Sequence, residues 1–401
     1  MSSASSSVLA LAPALKDYAW GDDRYIQGLL GTAPDGTPMA EAWFGAHPQG
    51  PSTLPCRDDA TLLELLEGDE GSAWLGPVTG LREGTLPYLA KFLAAAQPLS
   101  IQVHPDDRQA RDGFAREDAE GIARDAPNRC YRDPYAKPEI MIALTEFRAL
   151  CGFRSDEEIR AAFERHDALR DLAPLCGRGW NGQRDLVAHW FALDREEVER
   201  RQAGLLAALA EAPVRTAAEQ LLMELAEAAG EGITADPGLL FALLLAHVRL
   251  KPGQGLFLRA GVPHAYLHGA GLEVMGASDN VLRAGLTGKH VAPNELSRIV
   301  RFAAGGAWRV DGETDGAGWR VYRTAATEFE VATRELTALD QVAWRAEGPE
   351  SLIALSADAQ IEVLAGVTRL ALTPGAGAFV AHDTPIELRG EGPIARVRVP
   401  L

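Results

Sequence analysis

The chain has 401 residues and a mass of 43.0 kDa, enough for two or three domains with packed cores. A hydrophobic fraction of 47% excludes wholesale disorder, and a net charge of −17 argues against a nucleic-acid or anionic-membrane partner. An anionic substrate would need a local cationic pocket against that repulsive background.

The four cysteines (Cys56, Cys130, Cys151, Cys176) are scattered, form no CxxC pair, and are expected to be reduced and mostly buried. Residues 1–11 are Ser/Ala-rich and lack a basic n-region, so a frayed leader and no signal peptide are expected there. The longest apolar run, Leu239 to Val248, is too short to span a bilayer and contains His247. A soluble, cytoplasmic protein is expected.

In chain order, residues 13–21 and 40–52 look like aromatic-rich strands with tight turns, and Trp20 and Trp43 suit core packing. Thr61 to Glu67 suggests a short helix, and Leu86 to Leu93 carries Lys91. Next comes Leu99-Ser100-Ile101-Gln102-Val103-His104-Pro105-Asp106. On a strand, Gln102 and His104 share one face while Ile101 and Val103 fill the other; Pro105 ends the ladder. Such a polar pair on an inner face is costly unless hydrogen-bonded or bound to something. A charged stretch to Asn128 suggests a helix and a loop. Glu139 then opens an apolar strand, Ile140 to Leu144, with Lys137 two residues before it, and is expected to face inward.

Ser155…Glu158 and Asp194…Glu197 read as capping boxes, Thr216 to Ala229 has helical periodicity, and Asp236-Pro237 precedes an expected helix from Leu239 to Arg249. Residues 155–249 therefore read as an all-helical block without a chemical motif. Glycine turns and a short strand follow, ending at Pro263-His264. Leu250-Lys251-Pro252-Gly253-Gln254-Gly255-Leu256-Phe257 is echoed by Leu372-Thr373-Pro374-Gly375-Ala376-Gly377-Ala378-Phe379, in a register that aligns Pro263 with Pro385 and His264 with Ile386. From Trp319 onward, short strands alternate with turns at the spacing of an antiparallel sandwich or jelly roll.

Gln102, His104, Glu139 and His264 make a plausible oxygen/nitrogen set for a divalent metal: Zn²⁺, with Mn²⁺ or Fe²⁺ also compatible. Downstream, Arg283 and Lys289 could grip a phosphate, or could simply be solvated loop charges.

These stretches closely resemble the type I phosphomannose isomerases, zinc enzymes of the cupin superfamily. The resemblance runs through Tyr18-x-Trp20-Gly21, Glu41-x-Trp43-x-Gly45-x-His47-Pro48, Leu99 to Asp106, Lys137-Pro138-Glu139, Leu150 to Phe153, Pro263-His264-Ala265-Tyr266 and Asp279 to Lys289. It implies that Gln102, His104, Glu139 and His264 hold one zinc ion and that Arg283 is catalytic. It also implies that Ser100, Lys91 and Lys289 line the phosphate end, with Trp20 and Tyr266 at the substrate. The family usually has His before Lys-Pro-Glu; this chain has Ala136, so Lys137 or Glu273 must carry more of the proton transfer.

The resemblance thus implies a mainly β fold with an all-helical insertion: two cupin-type jelly-roll sandwiches, the second degenerate. Residues 1–154 and 250–310 would form the catalytic unit, 155–249 the helical unit and 311–401 the C-terminal unit. The implied activity is interconversion of mannose 6-phosphate and fructose 6-phosphate by a monomer through an enediol, feeding mannose and GDP-mannose metabolism. An Fe²⁺ oxygenase and a non-catalytic sugar-binding cupin are the competing readings.

Overall fold

The computed structural model describes residues 6–77, 84–177, 180–230, 236–303 and 309–400. It is mainly β, with two hydrogen-bonded strand networks and a set of helices. In the first network the order is Arg309–Asp311, Gln254–Leu258, Glu139–Ala143, His264–Gly276, Tyr88–Ala95, Glu41–Phe44 and Ala14–Lys16. The long His264–Gly276 strand belongs to two layers. Its second half pairs with Tyr88–Ala95 and Glu139–Ala143, while its first residues pair with Ile101–Val103 and Phe147–Phe153. The register shifts between Tyr266 and His268, and Gly269 follows at φ +114°, where the strand turns from one layer into the other.

Both layers are covered on both faces, and the period of two sorts their side chains. In the larger layer Phe44, Phe92, Ile142 and Leu272 face outward, against Ile353, Phe379 and Val397 of the C-terminal strands. In the smaller layer Ile101, Val103, Leu150, Ala265, Leu282 and Ala284 face outward, against the helices. The inner faces share a core of Leu93, Met141, Phe147, Cys151, Leu256 and Tyr266. Alternation leaves Glu41, Lys91, Glu139 and Glu273 on one inner face and Gln102, His104, His264 and Arg283 on the other.

Between Phe153 and Leu245 the described chain is helical. Ser155 and Thr216 close complete capping boxes with Glu158 and Glu219. Asp194 caps the next helix through the Glu197 N–H, but Glu197 turns to Arg200 and Arg201 instead of reaching back. The expected helix to Arg249 stops at Leu244; Leu245–Leu250 is a strand paired with Phe147–Phe153. A continuous apolar run fits a buried helix or a buried strand equally well, and only tertiary pairing decides.

The stretch from Gly271 to Lys289 is strand through Gly276 and again over Leu282–Gly285, which places Arg283 on a strand and Lys289 beyond its end. The C-terminal strands likewise merge at their end into one long strand, Pro385–Arg398. Val8–Leu11, expected within a frayed leader, is a strand paired with Gly377–Val380 of the C-terminal network, because Val8, Leu9 and Leu11 are buried there. All four cysteines are free, three buried and Cys56 exposed. No helix among the described residues is long and apolar enough to cross a membrane.

Candidate metal centre

The two layers meet at an inward cluster of His104, Glu139 and His264, all buried, with ligand atoms within 4.8 Å of one another. Each is delivered by a strand or its end. Glu139 opens one strand of the larger layer, His264 opens the long bent strand, and His104 follows Ile101–Val103. Gln102 lies directly across the ladder from His264 on one side and Arg283 on the other. Its Nε2 donates to Ser100 Oγ at 3.4 Å, which orients the amide and leaves its oxygen as the acceptor.

The protonation pattern tests whether a cation fits. His104 Nδ1 lies 2.7 Å from the Asn280 carbonyl and His264 Nδ1 2.9 Å from the Val262 carbonyl. Each Nδ1 must therefore carry the proton, leaving an Nε2 lone pair. Both Nε2 atoms lie 3.4 Å from Glu139 Oε2, and His104 Nε2 is fully buried without a hydrogen bond. Burial, opposed by Glu139, keeps the His104 imidazolium below its usual range, so the ring is neutral. Two lone pairs and a carboxylate oxygen converging in a buried space repel one another unless a cation lies among them. The donor set fits a divalent metal.

On the other side of Glu139, Lys137 Nζ lies 3.2 Å from Oε1. Deeper in, Tyr266 O–H donates to Glu273 Oε1 at 2.6 Å, and Lys91 Nζ lies 2.7 Å from Glu273 Oε2 and 3.0 Å from Glu41 Oε1. Trp43 Nε1 donates to the other Glu41 oxygen at 2.8 Å. Burial raises the Glu273 carboxyl above its usual range, although Lys91 and Tyr266 pull against the rise. Burial disfavours the Lys91 ammonium, but Glu273 and Glu41 outweigh it and raise its pKa. Burial and Glu273 likewise push the Tyr266 phenol well above its ordinary value. Lys91 and Glu273 face each other across the ladder, and that register builds the chain of contacts.

The groups expected at the phosphate end are distributed over two places. Arg283 and Lys289 line one open pocket of about 610 Å³ together with Arg132, Asp279 and Gln49. Lys91, by contrast, is held between two carboxylates, and Ser100 is bonded by Gln102. Trp20 packs against the inner core beside Leu99 and stacks on Tyr18, with ring centroids 5.7 Å apart. Arg132 and Asn280 were not singled out by sequence reasoning. Asn280 sits inside the Asp279 to Lys289 motif, which was the available signal; Arg132 had none beyond its place ahead of Lys137.

Buried His and Glu side chains that could hold one metal ion, converging between two β layers, mark the class of mainly β proteins with a single metal site. The family model for the type I phosphomannose isomerase catalytic domain matches residues 8–156. The mannose-6-phosphate isomerase of Escherichia coli (strain K12) is 36% identical over 396 residues, covering 96% of this chain and 98% of that protein. Mannose-6-phosphate isomerase 1 of Arabidopsis thaliana is 30% identical, covering 96% of this chain and 91% of its own. The chain belongs to the type I phosphomannose isomerases, an enzyme family. Among solved structures, mannose 6-phosphate isomerase from Salmonella typhimurium, bound to substrate (fructose 6-phosphate) and zinc, superposes with a TM-score of 0.88 at 35% identity. That match covers 99% of this chain and 100% of the other.

Proposed function

We infer that this chain is a zinc-dependent aldose–ketose isomerase interconverting mannose 6-phosphate and fructose 6-phosphate through an enediol. The observation that carries the reading is the convergence of two imidazole Nε2 atoms on a buried carboxylate. The zinc and fructose 6-phosphate in the Salmonella enzyme support it. Gln102, His104, Glu139 and His264 would hold one zinc ion, whose Lewis acidity would stabilise negative charge on the substrate oxygens.

The residues divide the remaining work. Arg283 lies one strand from His264, across Gln102, and would stabilise developing charge as a fixed cation. Of the two candidate bases, Glu273 has the better setting. Its carboxyl is raised by burial and bonded by Tyr266 and Lys91, so a proton can enter or leave along that line. Lys137 is engaged by Glu139 and would serve mainly to keep that ligand ionised. No imidazole stands at Ala136 to share the transfer.

The fold fits two cupin-type jelly rolls with a helical insertion, residues 311–401 with Val8–Leu11 forming the second. Gly253 and Gly375 make the same left-handed turn at φ +81° and +64°, and Gly269 and Gly390 bend the two long strands at φ +114° and +119°. Ile386 stands in the hydrophobic core of the second copy where His264 stands in the first, so that copy would bind no metal. A charge of −17 is consistent with a cytoplasmic monomer acting on a small molecule, without nucleic-acid or membrane partners.

The test is a coupled isomerase assay with and without a chelator, alongside elemental analysis. Stoichiometric zinc and chelator-sensitive turnover are expected, with both lost in His104→Ala and His264→Ala. Chelator-insensitive turnover, or iron with oxygen consumption, would overturn the assignment.

A further inference from the structure

Four Arg and Lys side chains line the open pocket beside the metal centre, and among the described residues three of them have no hydrogen bond or ion pair from the charged end. These three are Arg132, Arg283 and Lys289. The other charged groups nearby are already engaged or stand apart. Arg129 gives its guanidinium to the Tyr131 carbonyl at 2.7 Å and to Asp118 at 2.7 Å. Asp279 accepts from Gln49 at 2.9 Å and lies 3.4 Å from His47. It also lines this pocket, and against burial Arg132 is among the cations that hold its carboxyl below the usual range, but it is one carboxylate against three cations. Asp125 is exposed at the rim.

Three like charges in one concavity destabilise one another unless an anion enters. The effect is legible in the two partners: burial, then Arg132, lowers Arg283, while burial, Arg283 and Arg132 lower Lys289. Arg132 is also held in place. Its backbone N–H donates to Asn280 Oδ1 at 2.7 Å, and the Asn280 carbonyl faces His104 Nδ1. A backbone anchored to the same residue as His104, carrying a guanidinium whose fork is free, is suited to bring that fork to a phosphoryl group near the metal centre.

We propose that Arg132 is a third arm of the substrate's phosphate site, closing on the phosphoryl oxygens together with Lys289 and Arg283 and setting the preference for phosphorylated over free sugar. This rests on the isomerase reading above. Arg132 is a binding group here; the reacting carbons lie at the metal end.

The test pairs calorimetric titration of the metal-loaded protein with inorganic phosphate and steady-state kinetics on mannose 6-phosphate and mannose, for the parent, Arg132→Ala and Arg132→Lys. Arg132→Ala is expected to weaken phosphate binding and raise KM for mannose 6-phosphate about tenfold, with a smaller effect on kcat and a smaller loss on mannose than on mannose 6-phosphate. Arg132→Lys keeps the charge without the fork and should recover part of the loss, which a merely structural role would not produce. If the parent isomerises and binds phosphate while well-folded Arg132→Ala matches it in both, the proposal is overturned. If the parent binds phosphate with Arg132-dependent affinity but does not isomerise, the isomerase reading fails and the anion site stands.

Discussion

Asn280 shows how much one wholly buried side chain can organise. Its Oδ1 accepts from the N–H groups of Arg132 and Asp133 at 2.7 and 3.2 Å, and its Nδ2 donates to the carbonyls of Asp133 and Tyr135, both at 2.8 Å. With its own carbonyl fixing the His104 tautomer, it ties a metal ligand to the loop leading to Lys137. Each buried polar group left unpaired costs on the order of 1–3 kcal/mol. Asn280→Ala should therefore lower the unfolding free energy by about 3 kcal/mol and speed metal loss to a chelator. Denaturant unfolding measures the first and a colorimetric metal-release assay the second; a loss below about 1 kcal/mol would mean that water replaces the amide. His104, Glu139 and His264 are legible in the sequence because their strand positions determine the face they occupy. Asn280 is not legible in the same way, since its partners lie 145–148 residues away and are backbone groups with no local signature. For the same reason Lys91 is legible only as a lysine within an apolar run, and its two carboxylate partners emerge from cross-strand register.

At the scale of the element, the bent His264–Gly276 strand carries the candidate ligand His264 before its kink and Glu273 after it. Gly269 permits the kink. At φ +114° a side chain is strained, and a Cβ there would meet the Glu146 carbonyl oxygen at 2.4 Å and the Phe147 Cα at 2.9 Å, backbone atoms that cannot swing aside. Gly269→Ala should cost at least about 2 kcal/mol. It should also reduce kcat by more than its effect on folding explains, because it changes the angle between His264 and Glu273. Thermal unfolding and kinetics measured well below the midpoint separate these effects; unchanged kcat at full folding would show that the kink does not set the site. Strand spacing and capping boxes are legible locally. The end of the helical block is not, because Leu245–Leu250 becomes a strand only through its neighbour Phe147–Phe153.

At the scale of the molecule, the larger layer is apolar on its outer face as well as filled within, and the C-terminal strands cover that face. Tyr88 reinforces the seam by donating to the Val397 carbonyl at 3.1 Å, and Tyr322 by donating to the Gly253 carbonyl at 2.8 Å. Removing residues 311–401 would expose Phe44, Phe92, Ile142 and Leu272 together, at roughly 1.5–3 kcal/mol for each large side chain returned to water. The truncated chain is expected to be insoluble, or soluble without near-ultraviolet dichroism; a soluble, cooperatively melting fragment would show that the metal-binding layers stand alone. The Val8–Leu11 strand gives the same seam a history in time. It pairs with Gly377–Val380, almost the whole length of the chain away. At a synthesis rate of about 5–20 residues per second, it must wait roughly 20–70 s for its partner to emerge. Until then an apolar strand is left unpaired near the ribosome, so chaperone demand during synthesis is built into the order in which the strands are made.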